Sequence, residues 1–331
     1  MHDFDWEVAR DLPDAVRRLA ARGDAALIAG GTNMLDLMKE NVSRPGQLIH
    51  IGRLPLAGID ATPDGGLRIG ALASNADTAS HPRVRADYPL LASAILAGAS
   101  AQLRNMASAG GNLMQRTRCY YFYDVGTPCN KREPGSGCPA IGGMNRIHAI
   151  LGASAHCVAV HPSDMCVALA ALDATVEVLG PNGPRAIPFG QFHRLPGDTP
   201  ERDTNLARDE IITALLLPPA GAARRSAYVK VRERSSYAFA LVSAGVALEL
   251  KDGVLGEVRI ALGGVAHKPW RDAAAEQLLR GRSPDREAFR DAAQRLLRGA
   301  AGLSDNTYKI EMAARAVVRA LEQATAAKEA P

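Results

Sequence analysis

Apolar and polar positions follow two rhythms along the chain, and the elements they predict fall into three blocks. In the first, Asp11 is placed to cap a helix-period run over 13–21, with Pro13 in its opening turn. A short apolar stretch at 25–29 reads as a strand, Gly30-Gly31 turns the chain, a helix starts over 34–39, and 48–51 reads as a second strand. This alternation predicts a small α/β unit over 1–55. The second block, 56–220, carries a strand at 67–69, a helix over 88–97, a helix from Ser163 and a strand at 174–179. A turn at Pro181-Asn182-Gly183, a return strand at 187–189 and an apolar strand at 211–217 follow, and 218–222 reads as a linker. The third block, 221–331, begins with strand patterns at 226–231, 240–250 and 254–262, the last two joined by the two-residue turn Asp252-Gly253. Helices over 270–279, 285–297 and 308–324 follow, the last capped by Ser304 or Asp305, and the Ala-rich tail is expected to fray. The predicted class is α+β: a two-part N-terminal region, then an antiparallel sheet with helices.

With 331 residues, 47% of them hydrophobic, the chain can bury two or three cores. No apolar run approaches the roughly 18 residues of a membrane helix. The net charge of +4 is spread out with no Lys/Arg block, which argues against a nucleic-acid partner. The acidic N-terminus lacks the charged and apolar regions of a signal peptide, so export is expected only in company with a signal-bearing partner.

Cysteine usage sharpens the picture. Four of the five cysteines, Cys119, Cys129, Cys138 and Cys157, lie in one Gly/Pro-rich segment, spaced C-x9-C-x8-C-x18-C. Cys166 sits apart in the apolar run DMCVALAAL and reads as a buried core thiol. Four thiolates suit an iron-sulfur cubane or a tetrahedral zinc, and two disulfides are the structural alternative. Zinc knuckles, with two cysteines two to four residues apart, are absent. A chain without its own signal peptide folds where thiols stay reduced, which weighs against disulfides. Gly126, Gly135, Gly137, Gly142 and Gly143 let the backbone wrap a centre. Arg116, Arg118, Lys131, Arg132 and Arg146 offer positive charge, and Tyr120-Tyr121-Phe122-Tyr123 would exclude water, or form a strand with one buried face. His148, His156 and His161 are close enough in sequence to orient or replace a ligand, but with four cysteines available they read as surface or core residues.

Two glycine turns supply a second chemistry. Ala29-Gly30-Gly31-Thr32-Asn33 delivers backbone N–H groups, a hydroxyl and an amide to a helix start, where a pyrophosphate fits. Ser108-Ala109-Gly110-Gly111-Asn112 repeats the small-residue and amide pattern. Neither turn is a dinucleotide fingerprint or a Walker loop, and a Gly-Gly turn between strand and helix is commonly structural.

LIAGGTNMLDLMK, SAGGN, the Ser163-Asp164 pair, DEIITALLLP and YVKVRERSSYAFALVSAGVAL occur in this order across nearly the whole chain. Together they resemble the FAD-binding medium subunits of the xanthine dehydrogenase and carbon monoxide dehydrogenase family of molybdenum hydroxylases. With its cysteine segment the chain is most similar to the FAD subunits of periplasmic aldehyde oxidoreductases, which carry an extra [4Fe-4S] cluster. The resemblance implies a two-part FAD-binding region over 1–220, with a cluster loop at about 116–160 ligated by the four clustered cysteines. It puts Leu27, Ile28, Ala29, Gly30, Gly31, Thr32, Asn33 and Met34 on the FAD diphosphate and ribose, and Ser108, Ala109, Gly110, Gly111 and Asn112 on the diphosphate from the other side. Asp164 would bond a ribityl or diphosphate-adjacent hydroxyl, Ile212 would pack by the adenine end, and Lys230 would lie near the isoalloxazine.

The same resemblance implies a heterotrimer, with a molybdenum-cofactor large subunit and a small subunit holding two [2Fe-2S] clusters. Aldehydes would be oxidised to carboxylic acids at molybdenum, with electrons leaving through this chain to an external acceptor. No general acid, base or nucleophile stands out here, and no nicotinamide fingerprint, so a ferredoxin, quinone, cytochrome or oxygen is the expected acceptor. Location would be periplasmic by co-export, otherwise cytoplasmic. The alternatives are the flavoprotein subunit of a hydroxybenzoyl-CoA reductase-like enzyme, and a zinc-stabilised docking scaffold without a redox role.

Overall fold

The computed structural model describes residues 1–327, and among these the strands form three sheets. β1 (Asp5–Val8), β2 (Ala25–Ile28) and β3 (Gln47–His50) pair in parallel in the order β1-β3-β2. The Asp11 carboxylate accepts the Asp14 N–H at 2.7 Å and opens the helix Leu12–Ala21, which lays Val16 and Leu19 against Ile49. β4 (Ile59–Ala61), β5 (Leu67–Gly70), β6 (Thr175–Gly180), β7 (Gly183–Pro188) and β8 (Ile211–Leu217) form an antiparallel sheet in the order β4-β5-β8-β6-β7. β9 (Ser226–Val231), β10 (Val242–Lys251) and β11 (Val254–Gly263) form the third sheet, order β11-β10-β9. Asp252 and Gly253 close its hairpin with φ of 49° and 79°, the left-handed pair that a primed two-residue turn requires.

The order of the second sheet places the functional segments. Between β5 and β6 the chain leaves the sheet, runs through five helices and the cysteine segment, and re-enters along the helix Asp164–Ala171. That helix and Pro89–Ala97 are apolar nearly all round because they lie inside one core, which joins Leu67 and Leu215 of the second sheet to Ala247 and Ala261 of the third. The helices Arg286–Leu296 and Tyr308–Ala326 cover the outer core of the third sheet.

Several local expectations are corrected. Tyr120–Tyr123 is one helical turn and not a strand: the Phe122 and Tyr123 N–H groups bond to the Cys119 carbonyl, burying Phe122 and leaving Tyr120 exposed. Ser108 to Asn112 is likewise a helix start, Ala109–Leu113, capped by the Ser108 hydroxyl. Ser304 and Asp305 do not cap the last helix; they bond Asn145, through its side-chain amide to Ser304 Oγ at 2.9 Å and from the Asp305 N–H at 2.9 Å. The helix expected over 270–279 shrinks to Ala273–Gln277, because Trp270 pairs its backbone with Leu262 and Asp272 caps. The return strand is Gly183–Pro188, and Phe189 starts a short helix. β1 went unforeseen because the alternation in DWEV spans only four, mostly exposed residues; parallel pairing with β3 makes it a strand. The tail beyond 327, expected to fray, lies outside the described residues.

Candidate functional site

The first glycine turn follows β2 and leads into the helix Met34–Lys39. Gly31 adopts φ +73°, and a Cβ on Gly30 would overlap the Met106 carbonyl oxygen. Asn33 Oδ1 accepts the Arg116 N–H at 2.9 Å and ties this turn to the entrance of the cysteine segment. On the other wall Ser108 Oγ accepts the Gly111 N–H at 3.2 Å, and Gly110 sits so close to β5 that its Cβ would lie 3.1 Å from Ala71 Cβ. Between the walls is a cleft of about 500 Å³. Leu27, Ile28, Ala29, Gly30, Gly31, Thr32, Asn33, Met34, Ser108, Gly110, Gly111 and Ile212 all line it. Ala109 and Asn112 do not: Ala109 is buried with its N–H on the Ala73 carbonyl, and Asn112 Oδ1 accepts from Ser163 and Gln115. Ala109 and Asn112 stand three positions apart in a helical turn and so share a face directed away from the cleft.

A second cleft, of about 250 Å³, opens beside the first helical turn at Asp164 and is roofed by Phe239 and Leu241. Ser163 caps this helix, accepting the Cys166 N–H at 3.0 Å. The Asp164 carboxylate is held by Tyr228 Oη at 2.6 Å and Lys230 Nζ at 2.8 Å, and Lys230 also donates to the Ala97 carbonyl at 3.0 Å. Burial, reinforced by the Asp164 charge, raises the Tyr228 phenol well above its ordinary value and keeps it a donor. Lys230 thus stands behind Asp164 and fixes its orientation, while Asp164 itself faces the cleft.

All four clustered cysteines converge on one small cavity. Cys119, Cys129 and Cys157 are buried and Cys138 is half-buried, and all five cysteines of the chain are free. Burial pushes the Cys119 thiol up to about 11. A hydrogen bond from Cys157 draws Cys138 down to about 6, and the same bond, with burial, raises Cys157. The Phe122 and Tyr121 N–H groups point at Cys119, those of Val158, Ala140 and Ile141 at Cys138, and that of Ala159 at Cys157. His148 Nε2 lies 3.0 Å from Cys119 Sγ and His267 Nε2 lies 3.3 Å from Cys157 Sγ. Burial lowers these imidazoles to about 4 and about 3, so both rings are neutral. Soft sulfur donors with backbone N–H groups aimed at them, and no carboxylate in the cavity wall, are the donor set of a thiolate-bound centre.

The flanking charges have separate duties. Buried Lys131 bonds the Pro200 carbonyl at 2.7 Å and Asp203 at 2.5 Å, and Arg116 pairs with the same carboxylate. Burial opposes ionisation of Asp203, but Arg116 and Lys131 outweigh it and hold the carboxyl below its ordinary value. Arg132 donates to the Tyr121 and Phe122 carbonyls, both at 2.8 Å, while Arg146 reaches outward to Glu233. Of the three histidines noted in the segment, His148 is the one hydrogen-bonded to a cavity cysteine: His156 lines the cavity but is exposed beside Asp198, and His161 packs on His193 near Cys166. Cys166 is fully buried in its helix, its thiol pushed up to about 12 by burial. His267 carried no sequence signal, since it lies 110 residues from the cysteine it touches.

Two family profiles match the chain: the FAD binding domain in molybdopterin dehydrogenase over residues 2–220, and the CO dehydrogenase flavoprotein C-terminal domain over 227–324. The aldehyde oxidoreductase FAD-binding subunit PaoB of Escherichia coli (strain K12) is 50% identical over 327 residues, covering 98% of this chain and 99% of the relative. The carbon monoxide dehydrogenase medium chain of Hydrogenophaga pseudoflava is 28% identical over 98% of this chain and 97% of its own. Among solved structures, a carbon monoxide dehydrogenase from Hydrogenophaga pseudoflava that lacks the Mo-pyranopterin moiety superposes with a TM-score of 0.77 at 29% identity, covering 98% of both chains.

Proposed function

This chain belongs to the family of FAD-binding medium subunits of molybdenum hydroxylases, and from that premise we propose that it is the FAD- and [4Fe-4S]-containing electron-transfer subunit of an aldehyde oxidoreductase. One observation carries the reading: the cavity that gathers the four cysteines shares a wall with each cleft. Phe122 and Lys131 line both it and the glycine cleft, and Cys119 and His148 line both it and the Asp164 cleft. When bound, the flavin and the cluster supply one- and two-electron redox chemistry.

The residues of this chain bind, orient and shield. The two glycine turns hold the diphosphate, Ile212 flanks the adenine end, Asp164 receives a ribityl hydroxyl, and Lys230 with Tyr228 keeps that carboxylate aimed. Cys119, shared between the cysteine cavity and the Asp164 cleft, is the sulfur nearest the flavin ring in this reading. Phe122 excludes water from the cavity. The unit boundaries near 55 and 220 are part of the same proposal, as are a large molybdenum-cofactor partner, a small [2Fe-2S] partner and an external acceptor other than NAD. No helix among the described residues is long and apolar enough to cross a membrane.

Anaerobic purification of the complex followed by flavin, iron and zinc analysis tests the reading. Flavin absorption with a broad iron-sulfur shoulder and about four irons per chain is expected. Colourless protein with one zinc per chain would replace it with a docking scaffold. Turnover of aromatic aldehydes and not of aromatic thioesters separates the aldehyde oxidoreductase from a hydroxybenzoyl-CoA reductase-like enzyme.

A further inference from the structure

The two histidine contacts at the cysteine cavity form a matched pair that the binding of a cluster alone does not explain. His148 and His267 come from segments more than a hundred residues apart, yet each directs Nε2 at a different cysteine sulfur, at 3.0 Å and 3.3 Å. Both rings are buried, and in both the opposite nitrogen, Nδ1, has no hydrogen-bond partner. A metal-bound thiolate accepts and cannot donate, so a ring in contact with it carries its proton on Nε2 and leaves a bare acceptor at Nδ1. In both rings the polar contact made is the one to sulfur, with Nδ1 left unpaired behind it.

The backbone beside each ring is pinned across the chain: that of His148 by the C-terminal third, that of His267 by the segment around the cysteines. Lys309 Nζ donates to the His148 carbonyl at 2.7 Å, and Asn306 Nδ2 does so at 3.2 Å. His267 follows Val265 and Ala266, whose carbonyls accept the Ile150 and His161 N–H groups at 2.9 and 3.0 Å.

We infer that His148 and His267 are positioning residues of the cysteine centre, donating Nε2–H to Cys119 and Cys157 and thereby favouring the reduced form of the cluster. A hydrogen bond to a ligand sulfur withdraws electron density from it, so an added electron is better accommodated and the potential rises. This inference rests on the iron-sulfur reading of the preceding subsection.

Full-length chain in its native complex, bearing His148→Leu or His267→Leu, is to be compared with wild type by iron content and by dye-mediated redox titration followed by EPR. Each variant is expected to keep its iron and to lower the reduction equilibrium about tenfold, about 59 mV for one electron. His148→Gln and His267→Gln, which retain a side-chain N–H, are expected to recover most of that shift. Wild-type protein labelled with 15N-histidine is expected to show nitrogen hyperfine coupling in the reduced centre. Full iron with an unmoved potential in both Leu variants would overturn the inference. Should the Leu variants lose their iron, absence of nitrogen coupling in wild type would overturn it equally. Wild-type protein without iron would sink the underlying reading and this inference with it.

Discussion

A side chain on Gly30 would overlap the Met106 carbonyl oxygen, so this position serves two needs: it leaves room for a ligand in the glycine cleft and it lets the two loops touch. Gly30→Val is therefore expected to lower FAD occupancy and to destabilise the chain by about 1–3 kcal/mol, as overpacking does. Flavin content per chain and a urea melt check both, and full occupancy would remove the first turn from the binding site. The cysteines make a different prediction at the same scale. Cys129→Ser or Cys138→Ser is expected to cost the chain about four irons, the content of one cubane, measured on anaerobic protein. Unchanged iron would exclude the altered residue as a ligand.

At the scale of elements, the helix Tyr308–Ala326 joins packing to the site. Its second residue, Lys309, is fully buried and donates to the His148 and Gly264 carbonyls at 2.7 and 2.6 Å. Burial lowers this amine from 10.5 to about 7. Below about 7 both folded and unfolded chains hold the proton, and the cost of burying the charge is fully present. Between about 7 and 10.5 the unfolded chain binds the proton that the folded chain has released, so this group makes stability rise with pH. Wild type is expected to gain stability over Lys309→Met when urea melts at pH 7 and pH 10 are compared. A difference between the two proteins that stays flat with pH would refute the buried-amine account.

At the scale of the molecule, the cysteine segment lies where all parts of the chain meet. Asn33 of the first unit holds the Arg116 N–H, Asp203 of the second pairs with Lys131, and Asn306, Lys309 and His267 approach from the third. In the proposed reading such a centre passes electrons between bound groups and leaves bond-breaking to another polypeptide. Purification with its neighbouring subunits is expected to yield molybdenum in stoichiometric amount, determined by elemental analysis of the isolated complex. A molybdenum-free single chain that oxidises aldehydes on its own would defeat the multi-subunit assignment.

Local pattern alone determined a large part of this protein. The Asp11 cap, the apolar strand at 211–217, the Asp252-Gly253 turn and the clustering of four cysteines in one segment are all short-range facts, written in spacing and side-chain chemistry. Tertiary structure decided what those donors face. β5 and β6 are neighbours of β8 and not of each other, and the excursion between them is what brings Cys119 to His148 and Cys157 to His267. The same tertiary arrangement diverted Asn112 to Ser163 and set Lys230 behind Asp164. Periodicity records only which face of an element is buried; the partner on the other side depends on sheet order, which no local rhythm encodes.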